Sequence, residues 1–183
     1  NVGSFGETGD IRYMFAGEKS LKNLPPEERK IAADNLEVAK QMQFKNLESE
    51  KIRLATGWYL DKDNKWKYEI DDSELVMLVD NIIDEYNNID DKLQNIGVLS
   101  LSKVIKHNEL FKKYPQLKDM NVIFNKDSSG ASYSAEEKNI KINDFQNLLL
   151  NQEYHKNNLQ KLRITLLHEI QHAIQDIEGW ATG

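Results

Sequence analysis

The apolar positions of this chain change period several times, and each change marks the edge of an element. Pro25 and Pro26 are followed by "EERK", which puts proline and acids at a helix start, where a missing N–H costs nothing and negative charge suits the dipole. Ile31, Leu36, Ala39 and Met42 follow, so a long helix is expected from about residue 26 towards 47 or beyond, with these four on its inner side. "TGWYLDKDNKWKYEI" breaks that period. Trp58, Leu60, Trp66, Tyr68 and Ile70 flank an Asp63-Asn64 turn, which predicts a β-hairpin over 57–70. The opening "NVGSFGETGDIRYMFAGEKS" is rich in glycine and small polar residues and reads as an irregular arm.

Downstream the helical period returns. Asp71 and Glu74 have capping-box spacing, and Val76, Val79, Ile82, Ile83 and Tyr86 follow at helical intervals, which predicts a second helix. "LSLSKVIKHNELFKKYP" reads as a third, capped by a serine and ended by Pro115. "NVIF" is a short strand signal, and "GASYSAEEKNIKIN" reads as two extended pieces joined around "AEEKN". "NDFQNLLL" is expected to be a short helix. A final helix should begin near Asn157 or Asn158, both good caps, and run to at least Asp176. The pattern as a whole is α+β, with no internal repeat.

The final helix carries the chemistry. Leu159, Leu162, Leu166, Ile170, Ala173 and Ile177 line up one apolar stripe at steps of three or four. At roughly 100° per residue His168 lies about 200° round from Leu166, and His172 about 40° further on. The two histidines therefore face away from the core stripe. With Glu169 they spell H-E-x-x-H, a spacing that brings two imidazoles to one zinc ion and sets a carboxylate beside it. Glu169 is placed to accept a proton from an activated water and pass it to a leaving amine.

A catalytic zinc needs a third protein ligand. In one class of H-E-x-x-H site it lies ten residues after the first histidine, beyond a glycine that breaks the helix. Here that position is Glu178, the glycine position holds Gln175, and the nearest glycine is Gly179. In an unbroken helix Glu178 would sit ~120° round from His172 and ~9 Å further along, out of reach. Glu178 is thus either the third ligand, reached by unwinding after Gln175 or Asp176, or a plain helix-end carboxylate. Asp176 shares the histidine face but stands two turns from His168.

Composition narrows the alternatives. With 183 residues, 39% hydrophobic and 30% charged, the chain suits one globular core, read as a helical layer with hairpin over 1–115 and a small sheet plus the H-E-x-x-H helix over 116–183. A net charge of −6 without a basic patch argues against direct nucleic-acid binding. No apolar run approaches the roughly 18 residues of a membrane span. Zero cysteines exclude disulfides, thiolate zinc sites and cysteine nucleophiles, and fit a reducing compartment. There is no initiator methionine and no signal-peptide layout, so the chain is read as part of a longer protein. His107 and His155 lack metal-spaced partners and read as surface histidines. Trp58, Trp66 and Trp180 read as core or hairpin contacts.

Four blocks, "TGWYLDKDNKWKYEI", "HNELFKKYPQLKDMNV", "SGASYSAEEKNIKIN" and "LLHEIQHAIQDIEGWATG", in this order resemble the large polyvalent protein-associated domains that carry an HEIQH-type zincin signature. Such domains occur within very long proteins of phages and other mobile elements. The resemblance implies a zincin-like fold, with zinc held by His168 and His172 and Glu169 as general base, inside a polypeptide delivered into a recipient cell. It also implies a peptide or protein substrate, and directs attention to Tyr133 on a strand that would flank the metal helix. It names no specific substrate and does not settle Glu178. The alternative is a non-catalytic interaction module whose metal site is structural or vestigial.

Overall fold

Met14–Gly17, inside the expected irregular arm, form strand β1, and Glu18–Asn23 follow as a 3-10 helix. The pairing partner of β1, residues 67–70, lies far along the chain, so no local turn marks this strand. The computed structural model describes residues 14–89, 96–125, 130–143 and 155–180. Helices α1 (Pro26–Phe44) and α2 (Ser49–Thr56) come next, then the hairpin β2 (Trp58–Leu60) and β3 (Trp66–Ile70). Helix α1 buries Leu36 and Ala39, with Met42 packed beside them, but Ile31 is 63% exposed. The expected inner position of Ile31 is therefore corrected: five residues before Leu36, it sits roughly 140° away round the helix.

The hairpin forms as expected, with Trp58 opposite Tyr68 and Leu60 opposite Trp66. Asn64 takes the left-handed turn conformation at φ 64, which asparagine tolerates better than most side chains. β3 is the centre of a three-stranded sheet in the order β1-β3-β2, with Met14 opposite Ile70.

Val76–Met77 form strand β4, and helix α3 (Val79–Ile89) starts only after it. The expected capping box does not start this helix, because the Asp71 carboxylate instead accepts the N–H of Ser73 in a local turn. The single helix expected over 99–115 is also corrected. It is divided into β5 (Ile96–Ser100), α4 (Leu101–Val104), β6 (Ile105–Lys106) and α5 (Asn108–Lys113). The break has a long-range cause: β6 pairs with β4, Val76 to Lys106 and Met77 to Ile105. Pro115 then opens a second 3-10 helix, Pro115–Asp119, rather than only ending a helix.

Strands β7 (Asn121–Asn125), β8 (Ala131–Ser134) and β9 (Asn139–Ile142) appear where the sequence places them. With β5 they make a sheet in the order β5-β7-β9-β8, in which β7 and β9 are parallel and the other pairs antiparallel. Strand β8 is thus an edge. The short helix expected in "NDFQNLLL" lies, beyond Asn143, outside the described residues. Helix α6 (His155–Glu178) begins a little earlier than Asn157 and extends past Asp176.

One large core joins these parts. Met14, Ala16 and Ile70 of the first sheet, Leu110 and Tyr114, Val122, Phe124 and Ile140 of the second sheet, and Leu162, Leu166, Ile170 and Ile174 of α6 belong to a single buried cluster. Each such aliphatic side chain contributes about 1.5–3 kcal/mol by leaving water. A smaller cluster of Leu36, Ala39, Ile52 and Trp58 holds α1 and α2 to the hairpin. The described chain is mixed α+β with three small sheets. None of its described helices is long and apolar enough to cross a membrane.

Candidate metal centre

Helix α6 is apolar over more than the expected stripe. Leu162, Leu166, Ile170 and Ala173 are buried as the spacing predicts, and so are Leu167 and Ile174. The remaining face opens onto a cleft of about 670 Å³ between α6 and edge strand β8. Ala131, Ser132, Tyr133 and Ala135 form one wall; His168, Glu169, His172, Gln175 and Asp176 form the other. Gly179 and Trp180 lie at one end. A second groove of about 560 Å³, bordered by Ile31, Leu54, Trp58 and Tyr68, lies elsewhere and contains none of these groups.

The two imidazoles stand edge to face on successive turns, with Nε2 of His168 3.0 Å from Nε2 of His172. Gln175 Oε1 lies 2.9 Å from Nδ1 of His172. An amide oxygen only accepts, so Nδ1 carries the proton and Nε2 of His172 presents a lone pair to the cleft. Burial, and then the neighbouring His172, hold the His168 imidazole below the usual histidine range. That favours the neutral form a metal requires. Glu169 sits beside the pair in the cleft lining, mostly buried, and burial pushes its carboxyl above the usual range.

Two nitrogens on one tetrahedral zinc, each at about 2.0–2.1 Å, lie roughly 3.3 Å from each other. The separation in this protein is within a few tenths of an ångström of that value, so the pair fits two corners of a zinc site. Among the described residues no group of three or more His, Cys, Asp or Glu side chains converges for a metal.

Glu178 shows why. Helix α6 continues through it, and only at Gly179, with φ 76, does the chain turn into the left-handed conformation that glycine adopts freely. The unwinding after Gln175 or Asp176 that ligation requires does not occur. The Glu178 carboxylate points to the other side of the helix, where the N–H of Lys19 donates to Oε1 (2.8 Å) and Oε2 (3.1 Å). The Tyr114 hydroxyl donates to the same Oε1 at 3.2 Å. Of the two readings of Glu178, the helix-end arrangement is the one this structure holds, with the carboxylate anchoring the start of the first 3-10 helix.

Tyr133 faces the cleft from β8, and its hydroxyl donates to Asp176 Oδ2 at 2.9 Å. The ammonium of Lys138 also reaches that oxygen and, as the leading cause, holds the Asp176 carboxyl below the usual range. His107 is not a surface histidine: it is 1% exposed, with Nε2 2.5 Å from Asp72 Oδ1 and Nδ1 accepting the N–H of Leu110. Its role is to cap α5. His155 opens α6. Trp58, as expected, is a core contact, and Trp180 is buried with the Lys67 ammonium 4.4 Å from its ring centre.

Sequence reasoning noted Gln175 only as a missing glycine and passed over Gln171. Both glutamines are buried. The available signal was positional, since Gln175 stands three residues after His172, within side-chain reach on a helix.

Among known proteins, no curated protein and no solved structure matches the chain. The match that exists lies in the first half, from β1 to just past β4, and leaves α6 and the cleft outside it. Residues 13–78 match the family model of large polyvalent protein associated domain 23.

Proposed function

We propose that this chain is a zinc-dependent, zincin-like peptide hydrolase domain. The observation that carries the reading is the convergence of two Nε2 atoms at 3.0 Å in an open cleft, with the second ring fixed by Gln175. His168 and His172 would hold the metal, and the remaining positions are left to water, substrate or a donor beyond the described residues. When bound, zinc polarises a carbonyl and acidifies a water molecule.

Glu169 would take the proton from that water and deliver it to the leaving amine. Burial raises its pKa above the usual glutamate range, the direction that strengthens it as a proton acceptor. Among the described residues β8 has a strand on one side only, and along its outer side an extended peptide would add as a further strand beside the opposite wall. The partner is therefore a peptide or protein segment, and the match to a polyvalent-protein domain supports a setting within a longer polypeptide. A reducing compartment, or a cell into which a mobile element delivers its proteins, is the proposed location.

One observation also supports a second reading. With a proton on His168, the same 3.0 Å contact is a hydrogen bond inside the pair, as in an interaction module with a vestigial site. Zinc stoichiometry on wild type and Glu169→Gln, with a broad peptide-library assay, separates the two. Equal zinc with cleavage lost only in the variant is expected. No zinc in either protein rejects the enzyme reading and leaves the module.

A further inference from the structure

We infer that Gln171 is a positioning residue for the histidine pair, acting by gripping the backbone of β1. The inference rests on the zinc reading above. Gln171 is the last residue before His172, about 100° round the helix from it, off the cleft lining and 1% exposed. The N–H of Phe15 donates to its Oε1 at 2.7 Å, and its Nε2 donates to the carbonyl of Phe15 at 3.2 Å. Both halves of the amide are thus satisfied by the two backbone groups of one residue.

The core-facing contacts of α6 around the pair are aliphatic and non-directional, and its other polar ties, Arg163 to the Asp72 carbonyl, Asp176 to Tyr133 and Glu178 to Lys19, stand further along the helix. The aliphatic contacts resist separation far more than rotation about the helix axis. Hydrogen bonds fall off steeply with angle, so the two Gln171 bonds, the inter-element polar ties nearest the pair, oppose that rotation where the rings stand. Their anchor is itself held. β1 is registered on β3 from Met14 to Gly17, and the Met14 N–H donates to buried Asp72 at 2.6 Å. The direction of the His168 and His172 rings into the cleft is therefore referred to β1. A leucine or methionine would fill similar space without setting that direction. The position one residue from a metal ligand is thus polar and buried for a reason the apolar stripe cannot supply.

The test is a competitive zinc titration, with the visible spectrum of the cobalt-substituted protein alongside. It uses wild type, Gln171→Met, Gln171→Glu and Ile52→Ala, the last a cavity in the separate α1–α2 cluster. Gln171→Met should weaken zinc by about 10- to 100-fold and alter the cobalt spectrum, as loss of a group orienting a metal ligand does. Gln171→Glu keeps the acceptor for the Phe15 N–H and should lose less; it also serves if the methionine variant does not fold. Ile52→Ala should lower Tm yet keep zinc affinity within about twofold, as expected of an independent site. Unchanged zinc affinity and spectrum in both Gln171 variants, or an equal loss in Ile52→Ala, overturns the positioning role while leaving the zinc reading intact. A wild type that takes up no zinc overturns both.

Discussion

Nε2 of His168 and Nε2 of His172 face each other at 3.0 Å across one turn of α6. Two lone pairs so close repel until a proton or a cation lies between them. Added zinc should therefore raise Tm, and at about 100 times its Kd the stabilisation should be about 2.7 kcal/mol. His172→Ala should show no such rise. Thermal unfolding with and without zinc checks this, and equal shifts in both proteins would rule out the pair as the site.

Gln175 is the acceptor that keeps the His172 proton on Nδ1. Gln175→Met removes the acceptor at similar volume and should weaken zinc by about 10- to 100-fold. Gln175→Glu retains an acceptor and should bind zinc at least as well as the wild type. Isothermal titration of the two variants decides it; a loss of the same size in both would contradict the assignment.

Gly17 lies against the end of α6. A Cβ added there would stand 2.5 Å from Trp180 Cζ2 and 2.7 Å from the Glu178 carboxyl carbon. Gly17→Ala should therefore cost about 1–3 kcal/mol through overpacking. Urea unfolding measures it, and a variant as stable as wild type would show that the contact relaxes freely.

Burial holds the Glu178 carboxyl above the usual glutamate range, against the opposing pull of the Lys19 N–H and the Tyr114 hydroxyl. A carboxyl whose folded pKa exceeds its unfolded one contributes stability that is complete below the unfolded value and lost as pH rises through the folded value. Stability should therefore fall across the window that opens at the ordinary glutamate value and extends upward. Glu178→Gln cannot ionise, so its profile should be flatter there. Unfolding free energies from about pH 4 to 8 test the difference, and parallel profiles for the two proteins would count against it.

Legibility in the sequence followed the range of the interaction. The hairpin around Asn64, the strands β7, β8 and β9, and α6 all carry their period or turn residue locally, and each was found. β1, β4 and β6 are not legible because each pairs with a strand distant in sequence and no local turn marks the pairing, unlike the hairpins β2–β3 and β8–β9. The pairing of Ile105 with Met77 overrides a run that reads as helix. His107 was misjudged for the same reason: its partner Asp72 is distant in sequence and both are buried. At the cleft, His168, Glu169 and His172 were legible because a helix converts spacing directly into direction. Glu178 was not, since its direction depended on whether the helix ended before it.

The seating of β1 against α6 bears on how such a module could be exchanged between proteins. The family match closes at residue 78, between β4 and α3. A gene segment cut there and transplanted alone would carry away the strand that Gln171 bonds and the 3-10 helix that Glu178 anchors, and would leave β6 without its partner. The recipient would gain a strand without its side-chain partners, and the donor would keep a helix whose Gln171 and Glu178 had lost Phe15 and Lys19. The match covers residues 13–78, while the buried core runs on through α6 to Trp180.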